Sequence, residues 1–242
     1  MKDYFKKLYQ NGTEKFYSLV GNNLKQNKKM FVVTANPETF MYGTNDKIFN
    51  KLLLDNNTTL VPDGIGIVKA ARMLDYNIKE RITGIDLASF LLNECNDNGY
   101  KLALLGAKEE VIKALQEKIK KDYPNIVIIK AENGYNNNKD SFFKELLSLN
   151  PDVCLVALGI PNQEKLIYKH ISKFKKGIFV GVGGSFDVLS GTKKRAPIII
   201  QKLNIEWLYR IIKEPKRIKR FYNSNVKFIF KIKKNKNELK NN

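Results

Sequence analysis

Five short segments of this 242-residue chain combine glycine with polar side chains in a way that could surround a ligand. They are Thr34-Ala35-Asn36-Pro37-Glu38, Pro62-Asp63-Gly64, Gly106-Ala107-Lys108, Gly159-Ile160-Pro161-Asn162-Gln163-Glu164 and Gly181-Val182-Gly183-Gly184-Ser185. Each follows a run of aliphatic or β-branched residues, so each reads as the turn out of a strand. Glycine in such turns lets backbone N–H groups approach a diphosphate at the start of the next helix. A nicotinamide-dependent oxidoreductase would need a glycine fingerprint after an early strand. Thr34-Ala35-Asn36 is not one, and Gly181-Val182-Gly183 comes late and lacks the third glycine.

Asp63 is the carboxylate that stands out. It follows strand residues and Pro62 and precedes Gly64, which places it at the mouth of a sheet rather than along a solvated helix. There it could take a proton from an acceptor hydroxyl as a general base. It could equally cap the next helix, and on spacing alone the cap is the stronger reading. His170, the sole histidine, falls in a polar helix and reads as a surface residue. The chain has no Asp-x-Asp pair to hold a divalent cation against a nucleotide diphosphate, so no metal site and no cofactor are expected. Arginine and lysine can neutralise a diphosphate instead.

The elements that would position these turns alternate along the chain. Strands are expected at Met30–Thr34, Thr58–Val61, Lys101–Leu105, Ile126–Ile129, Val153–Leu158 and Ile178–Val182. Between them lie helical patterns: one carrying Phe40, Ile48, Leu52 and Leu53, then Ile65–Leu74, a helix capped by Asp86 and running through Leu92, Glu109–Lys121, Ser141–Leu149, and a helix after Asn162. Such βα alternation predicts an α/β, Rossmann-like fold with a mainly parallel sheet and helices on both faces. In open sheets of this kind ligands bind beyond the carboxyl ends of the strands, where the five turns fall.

After Pro197 the pattern changes. Leu203, Trp207, Leu208, Ile211 and Ile212 form one helical stripe, Pro215 interrupts it, and Ile218, Phe221, Tyr222, Val226 and Ile229 form a second. The predicted organisation is therefore a catalytic domain over 1–195 and a basic helical appendage over 196–242. The net charge of +19 is concentrated there: from Lys193 onward sixteen lysines and arginines stand against three glutamates, a net +13. An anionic partner is implied, whether phosphate, nucleic acid or a membrane surface, although a solvated lysine-rich face accounts for the composition equally well. No run of about 18 apolar residues is present, and the start lacks an apolar signal core, so the chain is expected to stay in the cytosol. Cys95 and Cys154 sit in apolar stretches and read as buried small hydrophobes.

The series of motifs resembles the WecG/TagA/CpsF family of glycosyltransferases from about Phe31 to Tyr222. The stretches that carry the resemblance are four of those turns, the Gly106 one excepted, together with Glu80-Arg81-Ile82-Thr83-Gly84-Ile85-Asp86, Ser190-Gly191 through Arg195-Ala196-Pro197, Glu206-Trp207-Leu208-Tyr209-Arg210 and Glu214-Pro215-Lys216-Arg217. The resemblance implies a metal-independent, inverting transferase. Its substrates would be a UDP-sugar donor, UDP-N-acetylmannosamine in TagA-like members, and a polyprenyl-diphosphate-linked GlcNAc acceptor. The product would be a β-linked disaccharide-lipid for teichoic acid or a related surface polymer. N-acetylmannosaminuronic acid or glucose remains open as the donor sugar. The resemblance makes Asp63 the base and places Thr34, Asn36, Arg81 and Gln163 in the substrate pocket. It matches Arg210, Arg217 and Arg220 to arginines of an appendage that closes the site at the inner face of the cell membrane. A homo-oligomer is left open.

A nucleic-acid-binding protein is the rival from another class, since it explains +19 and aromatic residues among cations. It leaves unexplained why polar motifs recur at strand ends in a region of little excess charge. A purely structural membrane-binding module would leave Asp63 and Gln163 without a task.

Overall fold

The computed structural model describes residues 1–240. The elements run α1 (Lys2–Lys7), α2 (Thr13–Lys25), β1 (Lys29–Ala35), α3 (Pro37–Gly43), α4 (Lys47–Leu54), β2 (Thr58–Pro62), α5 (Ile65–Met73), α6 (Gly84–Asn98) and β3 (Lys101–Gly106). They continue through α7 (Glu109–Asp122), β4 (Val127–Glu132), α8 (Lys139–Leu149), β5 (Val153–Ala157), α9 (Asn162–Ile171), β6 (Gly177–Gly181) and α10 (Ser185–Leu189). The basic C-terminal part forms α11 (Ile198–Lys202), α12 (Glu206–Lys213), α13 (Arg217–Phe221), a π-helical turn at Tyr222–Val226, α14 (Lys227–Lys234) and α15 (Lys236–Lys240).

The strands form one parallel sheet in the order β2-β1-β6-β5-β3-β4. Because alternate strand residues face opposite sides, β1 feeds two cores. Phe31, Val33 and Ala35 join Phe49 and Leu52 of α4, Ile167 of α9 and Phe142 of α8. Met30 and Val32 join Phe16 of α2, Leu91 of α6 and Leu115 of α7. Strands buried on both faces are nearly continuous apolar runs, which is why β5 and β6 are fully buried. The chain leaves β1 toward β2 and returns as β6 on its other side. The connections on either side of β1 diverge there, and a crevice opens at its carboxyl end.

Several local expectations change. The single helical pattern over Phe40–Leu53 is two helices, with Asp46 accepting from the Phe49 N–H to start the second. The first ends at Gly43, where a Cβ would lie 2.7 Å from Leu53 Cδ1 and Tyr4 Oη, so only glycine fits there. Asp86 does not cap α6. Thr83 does, accepting from the Asp86 N–H, while Asp86 sits in the first turn, where the helix dipole favours a carboxylate. His170 is not on the surface: it is 3% exposed, stacks on Phe143 and pairs its Nε2 with Asp140. Cys95 and Cys154 are free and buried, as the sequence suggests. The helices α1 and α2 had no counterpart in the sequence reading, yet Tyr4, Phe5 and Leu8 are core residues.

The basic segment is docked against the rest of the chain. Phe228 and Ile232 of α14 are fully buried, and Phe228 packs against Phe5 and Phe40. Ile229 also rests on this core. Trp207 and Phe221 stack with ring centroids 4.4 Å apart, joining α12 to α13. Ile198, Ile199, Leu203, Ile212, Ile218, Tyr222 and Phe230 remain exposed. Among the described residues no helix is long and apolar enough to cross a membrane.

Candidate active site

Four strand exits meet at the crevice. Asn36 leaves β1 and starts α3 through a capping box: its Oδ1 accepts from the Thr39 N–H, and Thr39 Oγ1 accepts from the Asn36 N–H. Asp63 leaves β2, its N–H bonded to the Ala35 carbonyl at 2.8 Å. Gly159 and Gly183 follow β5 and β6. Gly64, Gly159 and Gly183 all have positive φ, and a Cβ on any of them would meet nothing within 4 Å. The turns therefore face open space, and their glycines are present for backbone conformation.

Thr34 and Gln163 are turned inward. Thr34 is 7% exposed and its Oγ1 donates to the Gly181 carbonyl at 3.2 Å. Gln163 is 2% exposed, and its Oε1 accepts from both the Gly159 and Gly183 N–H groups, at 3.1 and 3.0 Å. Both side chains brace the exit of β6. The site residues they support are the backbone turns above them.

The α6 N-terminus closes the other side. Gly84 lies against Thr34 and Val182, and its N–H favours the charged form of the Asp63 carboxyl. Asp63 is half-buried. Burial pushes its carboxyl up to about 6; Arg81, Arg210 and the Gly84 N–H pull the other way, and Glu206 adds to the rise. A carboxylate held near neutrality among guanidinium groups, at a helix N-terminus, suits proton acceptance.

Arg81, whose charge together with that of Arg210 acts on Asp63, belongs to an ionic network with Glu206, Arg195 and Asp86 that the sequence did not reveal. Arg81 Nη2 donates to Glu206 Oε2 at 3.1 Å and to the Gln201 carbonyl at 3.2 Å. Arg195 lies 3.5 Å from the same glutamate and 2.6 Å from Asp86, whose other oxygen accepts from Thr83 Oγ1 at 2.5 Å. Burial raises the Asp86 carboxyl, but the Arg195 and Thr83 hydrogen bonds hold it below its usual range. Glu206 is 8% exposed, so breaking either ion pair would strand a buried charge. The network fixes α12 over the start of α6. Of its contacts only Thr83 to Asp86 was legible in the sequence, since Thr83-Gly84-Ile85-Asp86 has capping-box spacing.

Arg217 and Arg220 lie farther out. Arg217 pairs with Glu214 at 2.5 Å. Arg220 grips Glu38 with both Nε and Nη2, at 2.8 to 3.1 Å. This pair edges a cleft of about 460 Å³ that also borders Tyr42, Asn45, Asp46 and Asn223, and Asp63 is not part of its lining. The structure thus sets Thr34, Asn36, Asp63 and Gln163 at or just beyond the carboxyl ends of the strands, brings the charges of Arg81 and Arg210 to bear on Asp63, and ties Arg217 to Glu214 and Arg220 to Glu38. Among the described residues no three His, Cys, Asp or Glu side chains come together to hold a metal ion.

Known proteins share this chain's sequence over most of its length. The profile of the glycosyl transferase WecG/TagA/CpsF family matches residues 7–242. A relative from Bacillus subtilis (strain 168) is 41% identical over 189 residues, covering 78% of this chain and 73% of the relative. One from Staphylococcus aureus (strain MW2) is 38% identical over 211 residues, covering 87% and 82%. Both relatives are named N-acetylglucosaminyldiphosphoundecaprenol N-acetyl-beta-D-mannosaminyltransferase. The profile's span takes in the motif-bearing turns, α6 and the basic segment, and with the relatives' identity it shows that the chain belongs to the WecG/TagA/CpsF family of glycosyl transferases.

Proposed function

We propose that this glycosyltransferase moves N-acetylmannosamine from UDP-N-acetylmannosamine to polyprenyl-diphosphate-linked GlcNAc with inversion, making a β-linked disaccharide-lipid for wall teichoic acid or a related surface polysaccharide. The observation that carries the reading is the Asp63 carboxylate at the β2 exit, raised to about 6 between Arg81, Arg210 and the start of α6. The names of the relatives at 38% to 41% identity support the acceptor and the sugar.

In this mechanism Asp63 takes the proton of the acceptor hydroxyl as its oxygen attacks the anomeric carbon. The bond from that carbon to the diphosphate oxygen breaks on the opposite face, and UDP leaves with the electron pair. One base and a positive pocket suffice for inversion. Arg81 and Arg210 neutralise the leaving diphosphate, and Arg217 and Arg220 do so after giving up their carboxylate partners. Asn36, Thr34 and Gln163 shape the pocket floor. Residues 196–242 act as an appendage to a catalytic domain over 1–195, bringing arginines to the site and cations to an anionic membrane surface. With guanidinium groups facing the diphosphate, no metal is required.

The test is a donor panel. Purified protein is mixed with a short-chain GlcNAc-diphosphate lipid and each of UDP-N-acetylmannosamine, its uronic acid and UDP-glucose, with and without EDTA, and products are read by mass spectrometry. A disaccharide-lipid from the first donor, unaffected by EDTA, is expected. Transfer from another donor alone would reassign the sugar, and loss with EDTA restored by Mg²⁺ would overturn the metal-free mechanism.

A further inference from the structure

Glu164 is a buried carboxyl that the proposed chemistry does not use. It is 1% exposed, and its Oε2 has no hydrogen-bond partner. Burial pushes its carboxyl up to about 7; hydrogen bonds from the Gln163 amide and its own backbone oppose this, and nearby Glu38 adds to it. A carboxyl placed so deeply costs stability, and a neutral side chain of similar size would fill the volume without that cost. Its one hydrogen-bonded side-chain partner is Gln163, whose Nε2 donates to Glu164 Oε1 at 2.7 Å.

That contact fixes the Gln163 amide. One end of the amide faces two backbone N–H groups and must be the oxygen; the other must then donate, and Glu164 supplies the acceptor. Turning the amide over would set its NH₂ group against two donors and its oxygen against a carboxyl. The amide lies flat on the end of β6, where a Cβ on Gly181 would fall 2.6 Å from Nε2. The oxygen ties the Gly159 turn to the Gly183 turn, two of the glycine turns that face the open crevice.

We infer that Glu164 is a positioning residue for the active-site mouth: by holding the Gln163 amide in one orientation, it sets the spacing of the Gly159 and Gly183 turns on which the substrates are aligned. The inference rests on the transferase reading for its kinetic consequence, but the geometry of the turns is measurable by itself. A misplacement of about 1 Å in an aligned site costs on the order of 100-fold in rate. Glu164→Ala should therefore lower kcat about 10- to 100-fold and leave KM for the sugar nucleotide within about twofold, because alignment rather than uniform binding is lost.

The decisive comparison exchanges the two side chains. Gln163→Glu alone sets two carboxyls against each other and should be at least as impaired as Glu164→Ala. Adding Glu164→Gln restores a donor facing an acceptor across the same contact, with acceptor oxygens still facing both glycine N–H groups. The double variant should regain kcat to within about threefold of the native protein. Hydrogen exchange at the Gly159 and Gly183 amides, followed by NMR of glycine-labelled protein, should accelerate about 10-fold in Glu164→Ala and return toward native protection in the exchanged pair. Native kcat and native exchange in Glu164→Ala would overturn the inference, as would an exchanged pair no better than Gln163→Glu. If the native protein itself transfers no sugar, the transferase reading falls and the exchange rates alone decide the role of Glu164.

Discussion

In the proposed mechanism Asp63 is the general base, a role that carries a cost to the fold. As a general base it works ionised, so turnover should rise with pH through about 6 and then level. Asp63→Asn should keep the fold and lower turnover about 100-fold or more. Near-native turnover in the folded variant would remove Asp63 from the chemistry. The same shift has a sign in stability. With the folded carboxyl raised from 3.8 to about 6, the stabilising contribution is present below about pH 4 and is lost as pH rises through about 6. Asp63→Asn removes that loss, so the variant should be more stable than the native protein at neutral pH, by on the order of 1–3 kcal/mol. The gain should vanish below about pH 4. Thermal melts across pH check this, and a variant less stable at neutral pH would show that the arginines more than compensate the buried charge.

At the scale of elements, α14 decides whether the basic segment is part of the fold. Phe228 is fully buried among Phe5, Phe40 and neighbouring core residues, and its removal leaves a cavity in the larger core. Phe228→Ala should cost about 3–5 kcal/mol. Phe230 is 66% exposed two residues away, and Phe230→Ala should change stability by no more than about 0.5 kcal/mol. Equal effects in a denaturant titration would mean that α14 is not seated as described. The sequence showed the alternation of strands and helices well, because buried parallel strands are short apolar runs ended by Pro or Gly. It did not show α1, a six-residue helix in which adjacent Tyr4 and Phe5 are flanked by Lys2, Asp3, Lys6 and Lys7. A helix that short has no stability of its own; the core it enters makes it.

For the whole molecule, the parallel sheet brings turns far apart in sequence to one end, and the basic C-terminal segment packs on the same body through Phe228 and Ile232. Exposed Ile198, Ile199, Leu203, Ile212, Ile218, Tyr222 and Phe230 share that segment with many lysines. Binding to vesicles containing anionic lipid should be reversible and weaken steeply with salt, since each cation near the surface contributes on the order of 1 kcal/mol. Flotation with anionic and zwitterionic vesicles over a salt series measures it. Salt-independent binding, or equal binding to zwitterionic vesicles, would rule out the electrostatic account.

The sequence by itself determined the α/β class, the strand-end turns, the interruption at Pro215 and the residues that mark the family, because these depend on local composition and spacing. Only the tertiary structure decided what those residues do to one another. Gln163 points at backbone rather than open space because the turns after β5 and β6 both present N–H groups to it. His170 is buried because α9 turns it against Phe143 and Asp140. Arg195 meets Asp86 across 109 residues of chain, and Arg220 meets Glu38 across 182. Such pairings follow from which helices the sheet order sets side by side, and no local pattern in the chain carries that information.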